Sequence, residues 1–255
     1  MIPDQRREAL LSALRDSGVL SVKELCSLLK VSHMTVRRDI SALESEGEVH
    51  SVPGGVRISR SIRIEPTYQD KSTAHLAAKR AMAAHAATMI RSGQTVFLDA
   101  GTTVGHVVQH LEGKKDLTLV TNDLTTAVRL SDISGLDVFQ IGGHVDVRNR
   151  STVGLFAAGM LGHFNFDLAL MSTSSWDSAS GVTTPSEAKV GVKQAAMSNS
   201  AMNVLVSGSE KYGLIGTFNV APLDLFDQVI TDSSMPSEEL AQLSEAGVKI
   251  HVTET

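Results

Sequence analysis

Two adjacent arginines, Arg37 and Arg38, stand in a short amphipathic stretch that begins with Ser32. Arginine on a helix in the major groove of DNA can recognise guanine, because one guanidinium group donates two hydrogen bonds to O6 and N7 of that base. Serine and threonine near the start of such a helix can donate to phosphate. The stretch therefore predicts DNA recognition, and the alternative interpretation is a helix face that is merely solvated. The predicted DNA-contacting set is Ser32, His33, Met34, Thr35, Arg37, Arg38 and Ser41.

A second candidate site is the segment LDAGTT, in which Asp99 ends an apolar run and Gly101, Thr102 and Thr103 follow. A strand-to-helix turn of this composition directs backbone N–H groups and two hydroxyls at an anion, and the helix dipole adds a favourable field. Phosphate and carboxylate both suit such a site. An ordinary helix start capped by threonine is the alternative. Lys211 supplies the counter-charge in this hypothesis, unless it is a surface lysine.

Hydrophobic spacing predicts three helices that position the two arginines. The first covers about residues 4–17 and stops at Gly18. The second begins at Ser21, and Glu24 three residues later completes a capping box. The third begins after Ser32, a favourable N-cap residue. Three residues separate the second helix from the third, which is the spacing of a helix-turn-helix.

The third helix has a clear apolar face made by Val36, Ile40 and Leu43. The arginines stand on the opposite face. After this helix, a short apolar alternation surrounds the turn residues Pro53-Gly54-Gly55, which predicts a two-stranded wing. The first 58 residues therefore form a winged helix-turn-helix in this interpretation.

The rest of the chain alternates strand-like and helix-like segments, which predicts an α/β fold with a mainly parallel sheet and helices on its faces. We expect a winged helix-turn-helix domain at residues 1–58, a polar linker at 59–73 and an α/β sensor domain at 74–255. The predicted strands are residues 95–99, 117–121, 137–142, 168–172, 203–207, 228–231 and 248–252.

Several of these strands end in small polar residues, such as Thr121, Asn122 and Ser172. In an open parallel sheet, ligands bind beyond the carboxyl ends of the strands. The sequence therefore predicts that hydroxyls, amides and one cation converge there on a polar ligand.

Charge and composition limit the possible function classes. The 255 residues carry a net charge of −5, but the first sixty carry +1, so any DNA contact comes from a small local patch. With one cysteine, Cys26, the chain has no internal disulfide framework. No membrane-spanning run and no signal-peptide core are recognisable, and we expect a cytoplasmic protein.

The stretch VSHMTVRRDISALESEG resembles the winged helix-turn-helix signature of the DeoR family of bacterial transcription regulators. The resemblance extends through nearly all of residues 5–253. It implies a sensor domain similar in fold to ribose-5-phosphate isomerase, and an effector that is a sugar phosphate or a close relative. Residues that match the signature are Ser32, Thr35, Arg37, Arg38 and Asp39; residues that match the sugar-binding motifs are Asp99, Gly101, Thr102, Thr103, Thr121, Asn122, Gly142, Gly143 and Lys211.

The chain departs from the family pattern at a few places. Ser51 and Pro53 stand where the family wing has arginine and histidine, and Gly208 replaces an aspartate three positions before Lys211. The segment around Trp176 replaces a glycine-rich stretch, and this residue either packs on the ligand or lies in the core. The SSW variant resembles a DeoR branch that accompanies four-carbon sugar-acid catabolism, which implies a sugar acid or its phosphate as effector.

The predicted function is therefore a homodimeric or homotetrameric repressor that binds operator DNA and a small acidic or phosphorylated sugar, without a cofactor. A sugar-phosphate isomerase is the alternative, since such an enzyme needs a positioned base; isomerases of similar fold place a carboxylate pair after a Gly-Gly-Ala loop, whereas Asp146 and Asp177 are candidates here without a partner in that pattern. His106 and His110 have the i, i+4 spacing of metal ligands, yet no third ligand has recognisable spacing. We predict no catalytic residue and no metal.

Overall fold

The computed structural model describes residues 2–17, 19–52, 54–58 and 61–254. The chain forms two compact units, residues 1–63 and 64–255. The predicted helix stop at Gly18 and the wing residue Pro53 lie outside the described residues. Among the helices described, none is long and apolar enough to cross a membrane.

The first unit contains the predicted three helices and wing. The helices are α1 (Pro3–Ser17), α2 (Val22–Leu29) and α3 (His33–Glu46); the strands are β1 (Val19–Leu20), β2 (Val49–Val52), β3 (Gly55–Ile58) and β4 (Ser61–Ile62). Strands β1 to β3 pair antiparallel in the order β1-β3-β2, so the wing has a third strand, β1. Strand β1 is only two residues long, which is too short for an alternating hydrophobic pattern to predict it. Gly54 has φ +92° at the turn, which favours glycine there.

Local sequence explains where these helices begin and how they pack. Ser21 and Glu24 form the predicted capping box of α2, and the Ser32 hydroxyl accepts a hydrogen bond from the backbone of Thr35 at the start of α3. The predicted apolar face of α3 is buried against α1 and α2. This packing fixes which face of α3 remains exposed.

The second unit contains six α-helices and thirteen strands among its described residues. The helices are α4 (Tyr68–Thr73), α5 (Leu76–Thr88), α6 (Leu124–Ser131), α7 (Leu155–Leu161), α8 (Glu187–Ser198) and α9 (Ser237–Glu245). The strands are β5 (Thr95–Leu98), β6 (Leu117–Thr121), β7 (Leu136–Gln140), β8 (His144–Asp146), β9 (Ser151–Val153), β10 (Leu168–Met171), β11 (Ser175–Asp177), β12 (Gly181–Thr184), β13 (Asn203–Val206), β14 (Ile215–Gly216), β15 (Phe218–Ala221), β16 (Gln228–Asp232) and β17 (Ile250–Thr253). Short 3-10 helices cover Val104–His110, Ser209–Lys211 and Leu223–Leu225.

All seven predicted strands form one parallel sheet, in the order β17-β16-β13-β10-β5-β6-β7. Each face of the sheet has its own buried core. Phe97 packs in one core and Leu98 in the other, because neighbouring side chains of a strand point to opposite faces. The predicted α/β fold class is confirmed.

Two smaller features were not predicted from the sequence. Strands β11, β12 and β15 form an antiparallel sheet, and β8 and β9 form a hairpin.

The segment at 104–110 is a 3-10 helix rather than an α-helix. Residues 64–73, which the sequence analysis assigns to a linker, belong to the second compact unit and include α4.

Candidate functional sites

The first candidate site is the exposed face of α3. Ser32, His33, Met34, Arg37, Arg38 and Ser41 are exposed, and Thr35 is half-buried. Every residue of the predicted DNA-contacting set therefore lies on or beside the solvent face of α3. These seven residues lie between the start of α3 and its middle. In helix-turn-helix proteins, the N-terminal part of the recognition helix contacts base edges.

Asp39 has a different role from the two arginines before it. It is buried, and its carboxylate accepts two hydrogen bonds from Arg6 on α1, at 2.5 Å from Nε and 2.9 Å from Nη2. A bidentate arginine–carboxylate pair fixes geometry as well as charge. Asp39 therefore links α1 to α3. Although it matches the family signature, we assign it a structural role rather than a contact with DNA.

A carboxylate of α3 helps to hold the wing in place. Glu44 accepts hydrogen bonds from the backbone nitrogen of Ser51 at 2.8 Å and from its hydroxyl at 2.7 Å. Arg37 and Ser41 line the groove between α3 and the wing. The short Ser51 side chain, which replaces a family arginine, thus holds the wing in place beside the exposed face of α3.

The second candidate site is a cleft at the carboxyl ends of β5 and β10. The sheet grows outward in two directions from this pair, because β6 and β7 lie on one side and β13, β16 and β17 on the other. Such a switch in strand order opens a crevice between neighbouring carboxyl ends. Asp99 follows β5 and Ser172 follows β10, so both residues lie at this crevice.

Asp99 is the centre of a buried polar network in the cleft. Its Oδ2 accepts hydrogen bonds from the backbone nitrogen of Ser172 at 2.9 Å, from the Ser172 hydroxyl at 3.0 Å and from Lys193 Nζ. Lys193 also donates to the Ser172 carbonyl at 2.7 Å. Lys193 and Asp99 are both buried, so each compensates the charge of the other in a place that excludes water.

Gly101 permits the close approach that this network requires. A Cβ atom at Gly101 would lie 2.8 Å from Cβ of Ser172, a distance that real side chains do not tolerate. On the neighbouring strand end, Asn122 Oδ1 accepts a hydrogen bond from the backbone nitrogen of Ala100 at 2.9 Å. Asn122 Nδ2 donates in turn to the Thr152 carbonyl at 3.2 Å. The loop after β5 is therefore held on both sides.

A second cationic group lies in the same cleft. Lys71 of α4 and Lys189 of α8 both donate to the carboxylate of Glu65, with 2.5 Å between Lys71 Nζ and Oε1. Lys71 also donates to Oδ1 of Asn149 at 2.5 Å. Together with Lys193, the cleft collects three ammonium groups and two carboxylates along its lining.

The charges in the cleft influence one another strongly. Burial raises the pKa of Glu65, but the ammonium groups of Lys189 and Lys71 outweigh that effect and hold the pKa at about 2. Burial lowers the pKa of Lys71 below its usual value, although Glu65 partly opposes the change. Burial also lowers the pKa of the neighbouring Lys79 to about 8, and nearby Lys211 adds to the effect. Glu65 is therefore ionised at any physiological pH.

The structure brings some of the predicted effector residues together and leaves others apart. Those that line the cleft are Asp99, Gly101, Thr102, Asn122 and Ser172. Those outside its lining are Thr103, Thr121, Gly142, Gly143, Trp176 and Lys211. At the predicted anion site, Gly101 and Thr102 line the cleft, Thr103 is buried, and a short 3-10 helix begins at Val104.

The other residues outside the lining have structural surroundings of their own. Thr121 donates to the Leu98 carbonyl at 2.7 Å within the sheet, and the backbone nitrogen of Gly142 lies 3.3 Å from the Met160 sulfur. Trp176 is fully buried and packs edge-on against Tyr212, so it belongs to the core. Lys211 is half-buried but lies beyond the cleft lining.

The sequence analysis missed the three lysines that supply the positive charge. Lys193 gave a usable signal, because it stands on the apolar face of a helix next to Val192 and one turn before Ala196 and Met197. Lys189 lies one further turn back on the same helix. Lys71 gave no signal, because it falls in a polar stretch that resembles a linker. Within the described ranges, no group of three or more His, Cys, Asp or Glu side chains is arranged to hold a metal ion.

Two family profiles match the chain. The profile described as "DeoR-like helix-turn-helix domain" matches residues 6–61, and the one described as "DeoR C terminal sensor domain" matches residues 74–233. One match lies in each compact unit.

Similar proteins align along nearly the whole chain. An uncharacterised HTH-type transcriptional regulator of Haemophilus influenzae is 40% identical over 250 residues, which is 98% of this chain and 97% of that protein. The uncharacterised HTH-type transcriptional regulator YgbI of Escherichia coli K12 is 42% identical over 236 residues, or 92% of each chain. Among solved structures, ribose 5-phosphate isomerase from Plasmodium falciparum matches 52% of either chain with 16% identity and a TM-score of 0.39.

Proposed function

This chain belongs to the DeoR family of transcription regulators, and from that premise we propose that it represses a carbohydrate or sugar-acid catabolic operon until a small anionic sugar binds its sensor domain. It is a DNA-binding regulator and not an enzyme. The two relatives described above are likewise named HTH-type transcriptional regulators. The effector in this proposal is a phosphorylated sugar or a sugar acid. Repression is the mode that the family resemblance implies, and the site of action is the cytoplasm.

The observation that carries the proposal is the convergence of Lys71, Lys189 and Lys193 on one cleft at the switch in strand order. Three ammonium groups and two carboxylates line the cleft, and a third carboxylate, that of Asp146, lies 3.8 Å from Lys189 Nζ, so the positive charge is concentrated locally at the ammonium groups. An anion such as phosphate or carboxylate therefore gains charge-assisted hydrogen bonds in a site that is largely shielded from water. A neutral sugar accepts hydrogen bonds from the same ammonium groups but lacks the attraction between opposite charges.

The rest of the cleft suits the hydroxyl groups of a sugar. Asp99, Thr102 and Ser172 offer oxygen acceptors and hydroxyl donors around the cationic groups, and Asn122 fixes the loop that carries them. A small number of convergent polar groups is the usual composition of a ligand site. We propose Asp99, Gly101, Thr102, Asn122 and Ser172 as effector residues, joined by Lys71, Lys189 and Lys193.

We propose that the same chain reads operator DNA with α3. The exposed Arg37 and Arg38 would contact base edges or phosphates, while the exposed Ser32 and half-buried Thr35 would approach the backbone at the helix start. The effector regulates only if it binds the DNA-free and DNA-bound arrangements with different affinity. A coupling of about 1–3 kcal/mol changes operator affinity roughly 5- to 150-fold.

A homo-oligomer completes the proposal, because paired half-sites raise the specificity of a single helix-turn-helix. The second unit exposes four apolar side chains that lie close together along the chain, Val145, Val147, Leu155 and Phe156, of which the last three are 82%, 90% and 84% exposed; we call this set the apolar patch. Apolar side chains of this size rarely remain exposed together on a monomer. We propose that this apolar patch contacts a second copy of the chain.

The test combines ligand binding with operator release. Sugar phosphates and sugar acids are screened by thermal shift, and each binder is added to the complex of the protein with its operator while fluorescence anisotropy is recorded. We expect Lys189→Gln to weaken binding of the active compound by about 1.5–3 kcal/mol, roughly 10- to 150-fold, because a charge-assisted hydrogen bond is lost.

Lys249→Gln is the matched control, because this exposed lysine of the same unit lies outside the cleft lining. It is expected to bind the compound like the unmodified protein. A compound that binds without releasing the operator, or equal affinities of the two lysine variants, would contradict the proposed function.

A further inference from the structure

Glu65 holds an unusual position at the start of the second unit. Its neighbours on both sides point to solvent: Ile64 is 70% exposed, and Pro66 is also exposed. The Glu65 side chain alone turns inward and lines the cleft. The first residues of the second unit are thus anchored by a carboxylate rather than by apolar packing.

The carboxylate of Glu65 occupies the place that an anionic ligand would take. It bridges Lys71 and Lys189, two of the three ammonium groups that line the cleft. The side chains of all three residues are largely buried, so the bridge is shielded from water. A ligand phosphate or carboxylate that binds between the two ammonium groups competes with the Glu65 carboxylate for their charge and for the N–H donors directed at it.

The segment that carries Glu65 is attached to the rest of the second unit by polar contacts. Helix α4 buries none of its residues. Arg148 Nε donates to the Glu65 carbonyl at 2.6 Å, Lys71 Nζ donates to Asn149 Oδ1 at 2.5 Å, and Lys79 Nζ donates to the Lys71 carbonyl. The Tyr68 backbone nitrogen donates to the Arg148 carbonyl at 2.9 Å, and the Arg150 guanidinium lies over the Tyr68 ring. Segments with few buried apolar contacts open at low cost in free energy.

We propose that Glu65 is an internal competitor of the effector: the anionic group of the effector displaces its carboxylate from Lys71 and Lys189 and thereby releases residues 64–73. The inference rests on the proposed function, since it assigns the regulation of the same cleft. Residues 64–73 follow the DNA-binding unit directly in the chain. The segment released by the effector is therefore the one through which the two units are covalently joined.

This arrangement also sets the class of effector. A neutral sugar has no group that replaces a carboxylate between two ammonium ions, so it leaves the Glu65 bridge intact. An anion binds only those molecules in which the Glu65 bridge is open. Because this fraction is small, the apparent affinity for the anion is lower than the intrinsic affinity of the open cleft. Removing the charge of Glu65 removes that competition and raises the affinity.

The test compares the binding of inorganic phosphate to the wild-type chain and to Glu65→Gln by isothermal titration calorimetry and thermal shift. We expect the variant to bind phosphate at least about tenfold more tightly, since glutamine has nearly the same size but no charge. Glu112→Gln is the matched control, because this exposed glutamate of the same unit lies outside the cleft lining. Equal or weaker phosphate binding by Glu65→Gln would overturn the proposal.

A second measurement on the wild-type chain covers the case in which Glu65→Gln does not fold. Hydrogen exchange of the backbone amides of residues 64–73 is recorded with and without saturating phosphate. Displacement of Glu65 predicts faster exchange of these amides when phosphate is bound. Unchanged or slower exchange would overturn the proposal.

Lys189→Gln separates this inference from the proposed function. If Lys189→Gln binds phosphate as well as the wild type does, the cleft is not the anion site and the proposed function fails together with the inference. If Lys189→Gln loses phosphate binding while Glu65→Gln gains none, the anion site stands and only the role of Glu65 is refuted.

Discussion

Adjacent residues on α3 have opposite roles because each residue of an α-helix is rotated by about 100° from the one before it. Arg37 and Arg38 are exposed, whereas Asp39 is buried and paired with Arg6. The sequence motif alone does not distinguish the two roles. The structure therefore predicts that changes at Asp39 act on the stability of the first unit, and changes at Arg37 on DNA binding.

Arg37→Ala is expected to weaken operator binding by about 1–3 kcal/mol if the guanidinium contacts one guanine through two hydrogen bonds. Fluorescence anisotropy with labelled operator at fixed salt concentration measures the change. Arg91→Ala removes an exposed arginine from the second unit and serves as the charge-matched control. Operator affinity that is equal in the two variants would exclude Arg37 from base recognition.

At the scale of secondary-structure elements, α8 supplies two cations to the cleft from successive turns. Lys189 contacts Glu65 and Lys193 contacts Asp99, because residues four apart lie on the same helix face. Helix α4 adds Lys71 from the other side of Glu65. Glu65 therefore ties α4 to α8, and protonation of its carboxylate would loosen this connection.

The pH dependence of stability tests that connection. The pKa of Glu65 is about 2 in the folded chain against a usual value of 4.5, so its ion pairs stabilise the fold fully above about pH 4.5. The stabilisation is roughly 3 kcal/mol at neutral pH and is lost as the pH falls from 4.5 through 2.

Urea unfolding of the wild type and of Glu65→Gln, each at pH 7 and pH 3.5, measures this contribution. The difference in the free energy of unfolding between the two chains is expected to shrink by roughly 1 kcal/mol between these pH values. Glu112→Gln is expected to follow the wild type at both. Parallel behaviour of wild type and Glu65→Gln would mean that the ion pairs do not stabilise the folded chain.

At the scale of the whole molecule, the apolar patch and the cleft are connected through packed helices. Helix α7, which carries Leu155 and Phe156, packs against α8. The backbone nitrogen of Gly154 donates to the Ala188 carbonyl at 2.9 Å, next to Lys189. A ligand that repositions Lys189 thus acts on a helix that supports the proposed contact with a second copy.

The double substitution Leu155→Ser with Phe156→Ser is expected to dissociate the proposed oligomer. Burying a side chain of this kind contributes about 1.5–3 kcal/mol, so losing two on each copy raises the dissociation constant at least about a hundredfold. Sedimentation velocity at several concentrations measures the change. Leu225→Ser is the control, because Leu225 is also exposed but stands outside the apolar patch. An unchanged oligomer in the double variant would place the interface elsewhere.

Much of the fold was predictable because it follows from local rules. The capping residues Ser21 and Ser32 start helices wherever the chain around them is helical, and an apolar stripe such as Val36, Ile40 and Leu43 has to be buried. The same reasoning placed all seven strands of the parallel sheet. Asp99 and Ser172 were predicted at the carboxyl ends of the sheet because each ends a predicted strand.

Other features depended on contacts between residues far apart in the sequence, which no local pattern encodes. Lys193 meets Asp99 across 94 positions and Lys189 meets Glu65 across 124, so only the folded chain shows that these charges are paired. The order of strands decided which polar strand ends meet, and it left Gly142, Gly143 and Lys211 outside the cleft. The sequence by itself determined helix α3 with its exposed face and the parallel sheet, because periodicity and capping act locally. Only the tertiary structure revealed the cationic cleft. A buried charge needs a partner within hydrogen-bond distance, and the fold decides which residues come that close.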